Sequence, residues 1–163
     1  MYGTISDEKT VDVPATEAWK LYSTLQLAKV VEEALPGLIS RIDVVQGDGG
    51  AGTILELVFP PGMEGGLKSY KEKFTVVDHE KRVKETEVVE GGYLDLGFTM
   101  YRVRFEVIEV EGNEKQCITR STIEYELKEE AAANVAVVSI QPLTAIMQLS
   151  AEYLLRNNTN NGN

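Results

Sequence analysis

The sequence predicts an α+β domain: a curved antiparallel sheet of seven strands wrapped around a long C-terminal helix, with two short helices and an internal cavity. Three observations carry this prediction. Hydrophobicity alternates with period two through a series of short stretches bounded by Gly, Pro, Asn or Asp. Two short helical stretches follow the first strand, and beyond residue 128 apolar residues recur at steps of three and four.

Taken in order, Val11-Asp12-Val13 closes the first strand, and Pro14-Ala15-Thr16-Glu17-Ala18-Trp19 opens a helix. Proline suits that place because its missing N–H would find no partner in a first turn. A second short helix lies near residues 25–35 and ends at Pro36-Gly37. Residues 39–46, 53–59, 70–77, 82–89, 98–110 and 117–127 then read as successive strands of a meander. From 128 to 157 the repeat of Ala132, Val135, Ala136, Ile140, Leu143, Met147, Ala151 and Leu154 predicts one amphipathic helix, kinked where Pro142 removes an N–H. Residues 1–157 are thus expected to form a single domain, and the polar residues 158–163 a disordered tail.

The chain has 163 residues, 43% of them hydrophobic, with 16 Lys and Arg against 26 Asp and Glu for a net charge of −10. A domain of this size buries roughly 70% of its unfolded surface and needs no disulfide or structural metal. One cysteine, Cys117, excludes an internal disulfide, and Cys117 with the lone His79 cannot furnish a zinc site. No metal and no cofactor are expected. An acidic chain without a run of Lys or Arg argues against nucleic acid and anionic membrane as partners. No window looks apolar enough to span a bilayer, and the first ten residues have no signal-peptide pattern. A cytoplasmic, reducing location and a monomer or weak dimer are the corresponding expectations. The sequon Asn157-Asn158-Thr159 carries little weight without a secretory signal.

Alternation also assigns strand faces. Tyr70, Glu72, Phe74 and Val76 share one face of their strand, which turns a carboxylate inward. Lys84, Thr86 and Val88 share one face of the next; a hairpin at Asp78-His79-Glu80-Lys81 sets Lys84 near Phe74 and within diagonal reach of Glu72, roughly 7–8 Å. Tyr101, Val103, Phe105 and Val107, and then Thr119, Ser121, Ile123 and Tyr125, form further inner faces. A buried hydroxyl or charge without a partner costs a few kcal/mol, so hydroxyls and charges among apolar bulk point to a cavity. A structural Glu72–Lys84 pair near a sheet edge fits the same pattern.

Gly47-Asp48-Gly49-Gly50-Ala51-Gly52 matches G-x-G-x-x-G, but a strand, not a helix, follows it, and no Lys follows Gly52. A phosphate cradle needs the helix N-terminus, so the motif reads as a glycine-rich hairpin loop. Glu90-Gly91-Gly92-Tyr93 is a second such turn. His79 is expected in a solvated turn, Cys117 as a small buried apolar residue, and Trp19 as an anchor of the first helix. With one His and no paired nucleophile, no hydrolase triad can form.

The glycine loop with Thr53-Ile54, the Tyr70-Lys71-Glu72-Lys73-Phe74 strand, the Glu90–Gly97 turn and Ser121-Thr122-Ile123-Glu124-Tyr125 together resemble the plant norcoclaurine synthases, of the birch-pollen-allergen or pathogenesis-related class-ten superfamily. The resemblance runs from Val11 to about Leu155. It implies a helix-grip fold around an elongated pocket and the condensation of a dopamine-like phenethylamine with an aldehyde to a tetrahydroisoquinoline, a Pictet-Spengler reaction of alkaloid biosynthesis. By motif position it implies Lys84 as general acid and base, Glu72 as the base for the ring proton, and Tyr70 as a substrate hydrogen-bonding group. Tyr101, Val103, Tyr125, Leu143, Ile146, Met147, Leu35 and Leu38 are the expected substrate-binding residues. Val103 stands where those synthases carry an inward Asp, and the norbelladine synthases, similar through Gly91–Phe98, share an aliphatic residue there. Imine formation without ring closure, and storage of a small hydrophobic metabolite without turnover, are the alternatives.

Two proton transfers need two tunable groups. Desolvation lowers a lysine's pKa and a neighbouring carboxylate raises it, so the balance can place Lys84 where it both gives and takes protons.

Overall fold

The computed structural model describes the backbone of residues 1–161 and the side chains of residues 1–158 other than Glu64. Seven antiparallel strands follow one another as β1 (Tyr2–Val11), β2 (Arg41–Gln46), β3 (Ile54–Val58), β4 (Ser69–Asp78), β5 (Val83–Gly91), β6 (Phe98–Val110) and β7 (Asn113–Leu127). Their order across the sheet is β1-β7-β6-β5-β4-β3-β2. Each neighbour after β2 is also the next in sequence, as a meander requires, and only β1 crosses to pair with β7. Two short helices, α1 (Ala15–Tyr22) and α2 (Gln26–Ala34), bridge β1 to β2, and α3 (Gln141–Asn161) ends the described chain.

Helix α1 starts directly after Pro14, whose carbonyl accepts the Glu17 and Ala18 N–H groups, and it buries Ala15, Ala18, Trp19, Leu21 and Tyr22. Trp19 is anchored from outside the core as well: its Nε1 donates to His79 Nδ1 at 3.1 Å. His79, exposed in its turn as expected, therefore also holds the first helix to the β4–β5 hairpin.

The predicted single helix over 128–157 is two elements. Glu129–Val137 is a 3-10 segment with no buried residue, a short break follows, and α3 begins at Gln141. Pro142 is the second residue of α3, where its missing N–H costs nothing, so it starts the helix instead of kinking it. By length and composition alone Glu129–Asn158 is apolar enough to cross a membrane, which corrects the expectation that no window is. In the fold α3 lays Leu143, Ile146, Met147, Ala151 and Leu154 against the interior. The helix continues to Asn161 where a disordered tail was expected from 158, and residues 162–163 lie outside the described residues.

A β-bulge alters one predicted face. The β4–β5 register shifts between Phe74 and Val76, so that Phe74 pairs with Thr86 but Val77 with Lys84. One extra residue reverses the inside–outside parity beyond it. Val76, expected inside, is consequently exposed, and Val77 packs on the core in its place.

The glycine loop is a turn between β2 and β3. Gly49 has φ of +107°, and a Cβ there would lie 3.3 Å from Leu25 at the corner between α1 and α2. Its N–H donates to the hydroxyl of the buried Thr53 at 2.9 Å. Gly49→Ala is expected to lower stability by about 1–2 kcal/mol, from strain at positive φ and the displaced corner. Urea unfolding at constant m-value checks it.

Candidate active site

Strands β2 to β6, helix α2 with the corner that precedes it, and the start of α3 line a cavity of about 140 Å³. Its walls are apolar almost throughout, with Leu27, Val31, Leu55, Phe59, Phe105 and Ile146 among the lining side chains. Two residues bring charge into it, Glu72 from β4 and Lys84 from β5; Tyr70, Tyr93, Thr24 and Thr86 bring hydroxyls. Period two aims Lys84 and Thr86 inward, while Glu85 and Glu87 on the same strand turn out to meet Arg104 and Arg102.

Lys84 is 3% exposed. Its Nζ donates to the Tyr22 carbonyl at the end of α1, at 2.8 Å, and lies 4.4 Å from the centre of the Phe74 ring and 5.6 Å from that of Phe105. Among the described residues no ion pair shorter than 4.0 Å joins it to Glu72. Desolvation pulls the Lys84 ammonium down to about 8, against the opposing pull of the Glu72 charge. The same burial pushes Glu72 up to about 7, opposed by Lys84 and by the Thr86 hydroxyl. Burial thus drives both groups toward their neutral forms, the carboxyl up and the amine down, and narrows the gap of about six pKa units that separates them in solution.

Tyr70 forms the side of the cavity that leads to an aromatic wall. Its ring stands 5.2 Å from Phe59 and 5.8 Å from Tyr93, centre to centre. Burial and the Glu72 charge hold the Tyr70 phenol well above its ordinary pKa, so it stays neutral near pH 7. Tyr93 in turn stacks on Tyr101 with centres 3.7 Å apart and planes within 3° of parallel.

The expected binding residues divide into two groups. Val103, Leu143, Ile146 and Leu38 line the cavity. Tyr101 does not: it is 4% exposed and sits behind Tyr93. Tyr125 packs on Gly3 and Phe98, Met147 is 1% exposed in the core, and Leu35 packs against the core edge. None of these four is among the lining residues. Ser121 is likewise buried outside the lining. Among residues not singled out from sequence, Tyr93, Phe59, Met63 and Leu67 line the cavity. Phe59, Met63 and Leu67 flank the irregular β3–β4 connection, where no periodicity signals direction, and Tyr93 lies in the 3-10 turn Gly92–Leu96 that reads from sequence only as a turn.

A profile of the pathogenesis-related protein Bet v 1 family matches residues 1–157. The chain belongs to that family. Among Bet v 1 relatives, a norbelladine synthase of Narcissus pseudonarcissus is 44% identical over 98% of this chain and 96% of its own length. S-norcoclaurine synthase 2 of Papaver somniferum is 40% identical over 90% of the chain, which spans 62% of that longer relative. A crystal structure of the norcoclaurine synthase of Thalictrum flavum in complex with dopamine and hydroxybenzaldehyde superposes with a TM-score of 0.84 at 36% identity, covering 96% of this chain and 88% of that one. A truncated form of the same enzyme gives 0.85 over 95% and 94%. The fold expected from the strand order, seven antiparallel strands gripping a long last helix, is thus the Bet v 1 fold.

Proposed function

We propose that this protein is an enzyme that condenses an arylethylamine with an aldehyde by a Pictet-Spengler-type route to a tetrahydroisoquinoline. The observation that carries the reading is the presence of one lysine and one carboxylate, each driven by burial toward its neutral form, in a cavity whose other described lining residues are uncharged. The likeness to synthases of this chemistry over nearly the whole chain supports it.

The amine adds to the aldehyde, and the Lys84 ammonium gives a proton to the departing hydroxyl, leaving an iminium and water. Neutral Lys84 then takes the proton of the ring hydroxyl, which drives the ring carbon onto the iminium carbon and forms the new C–C bond. Glu72 removes the proton from that ring carbon, aromaticity returns as the oxygen regains a proton from Lys84, and Glu72 passes its proton back to Lys84. Each group ends as it began, and the net change is amine plus aldehyde to product plus water. Tyr70 holds a substrate hydroxyl, and the apolar walls keep bulk water from the iminium.

One observation favours a second reading, release at the imine. Val103 on β6 is paired with Thr86 and lines the cavity, so among the described residues Glu72 is the one lining carboxylate that could hold the substrate's positive charge during ring closure. Incubating dopamine and tyramine with a panel of aldehydes distinguishes the two. Enantiomerically enriched tetrahydroisoquinoline supports ring closure, a secondary amine after borohydride trapping supports the imine, and racemic product at the buffer rate overturns the enzyme. Val103→Asp is expected to raise the ring-closed fraction severalfold, read by chiral chromatography.

A further inference from the structure

The C-terminal end of α1 is built around a side chain that belongs to the other side of the molecule. At a helix end the last carbonyls lack intrahelical partners and need others. Here the Trp19 carbonyl accepts the Ser23 N–H at 2.8 Å, and the Thr24 hydroxyl lies 2.9 Å from the Lys20 carbonyl and 3.5 Å from that of Leu21. Among the described residues the Tyr22 carbonyl has one partner, Lys84 Nζ at 2.8 Å, from a strand 62 residues away. The ring of Tyr22, 2% exposed and 5.8 Å from Phe105, fixes that carbonyl in place.

We propose that Tyr22 is a positioning residue for Lys84: its carbonyl fixes one N–H of the amine, so that the remaining proton or lone pair points into the cavity, and the negative end of α1 favours the charged form. The inference rests on the proposed role of Lys84, but the contact and its effect on titration do not. An ammonium has three N–H groups and a neutral amine two plus a lone pair. With one N–H held by Tyr22 and the ring of Phe74 beneath, the neutral amine is left facing Glu72 and substrate. Without that anchor a four-carbon side chain samples several rotamers, and each would aim the lone pair elsewhere. A carbonyl and helix terminus also stabilise positive charge in a site where desolvation opposes it. The other group acting electrostatically on Lys84 is Glu72 on β4; among the described residues, α2, α3, β2, β3 and β6 contribute only uncharged side chains to the cavity.

Backbone substitution tests this without touching either side chain. Placing an α-hydroxy acid at position 23 turns the Tyr22–Ser23 amide into an ester, whose carbonyl is a weaker acceptor, and also removes the Ser23 N–H. An α-hydroxy acid at position 22 removes one helical N–H equally but leaves the Tyr22 carbonyl an amide. The Lys84 titration, followed by 15Nζ NMR, is expected to move down by about half to one pKa unit in the first protein and to stay unmoved in the second. In parallel, Lys84→Met is expected to speed hydrogen exchange at Ser23 and Thr24 about tenfold, an effect that Glu72→Gln does not reproduce. An unchanged titration in the position-23 ester, or an equal shift in both, overturns the proposal, as does unchanged exchange in Lys84→Met. If the shifts appear in a protein that makes no condensation product, the positioning stands and the synthase reading falls.

Discussion

Lys84→Met is expected to cut the rate of condensation at least a hundredfold, in the range that losing a positioned general acid and base ordinarily costs. Methionine nearly matches the length of the lysine stem and keeps contact with Phe74 and Phe105. The cavity should therefore keep its shape, and KM should change much less than kcat, because the walls that bind the substrate rings are apolar and untouched. The cost falls on stability only modestly: the Tyr22 carbonyl loses its partner, about 1–3 kcal/mol, while a desolvated charge disappears. Steady-state kinetics with the best amine and aldehyde pair checks this. A kcat within threefold of the parent would remove Lys84 from the chemistry and leave the cavity as a binding site.

Glu72→Gln combined with Lys84→Met is expected to make the protein more stable, and most so between about pH 7 and 8. Glu72 holds its proton up to about 7 in the fold against an ordinary value of 4.5. Over that interval the folded state binds the proton that the unfolded chain releases, so its contribution falls as pH rises from 4.5 and is fully unfavourable above 7. Lys84 runs the other way. It gives up its proton near 8 in the fold against 10.5, so its unfavourable contribution is complete below 8 and is relieved as pH rises through 10.5. Both penalties are complete only between the two folded values. Replacing a buried charged pair by groups of like volume gains about 1–4 kcal/mol where the exchange is favourable, or several degrees in Tm for a domain of this length. Thermal unfolding at pH 5, 7.5 and 10 should show the largest gain at the middle value. A gain that does not vary with pH, or a loss at 7.5, would mean that the two charges are not strained by burial. That strain is the stability given up to hold two such groups in one cavity.

The strands show why so much of the site could be read in advance. On β5 and β7 a strict period of two places Lys84, Thr86 and Val88, and then Thr119, Ser121 and Ile123, on the buried face, because the pleat leaves each side chain only two directions. On β4 the same rule places Tyr70, Glu72 and Phe74 correctly and fails at Val76, where the bulge adds a residue and reverses the count. Nothing local marks that bulge. The helical repeat through 128–157 fails for a related reason: spacing of apolar residues describes a face, whereas the break before Gln141 depends on where the chain must turn to lay α3 across the sheet. Tyr101, Tyr125 and Met147 illustrate a third limit, since an inward direction is local but whether an inward residue reaches the cavity is set by neighbours such as the facing rings and Gly3.

By itself, then, the sequence determined the class of fold, the order of its strands and the inward aim of Glu72 and Lys84, all of which follow from short-range stereochemistry. Only the tertiary structure decided how large a space those two groups face, that they meet without a close ion pair, and that the lysine is tethered to the carbonyl of Tyr22. Every residue carries a main-chain carbonyl, so none announces itself by residue type; packing distant segments together selects one of them and strips the water that would otherwise compete for it.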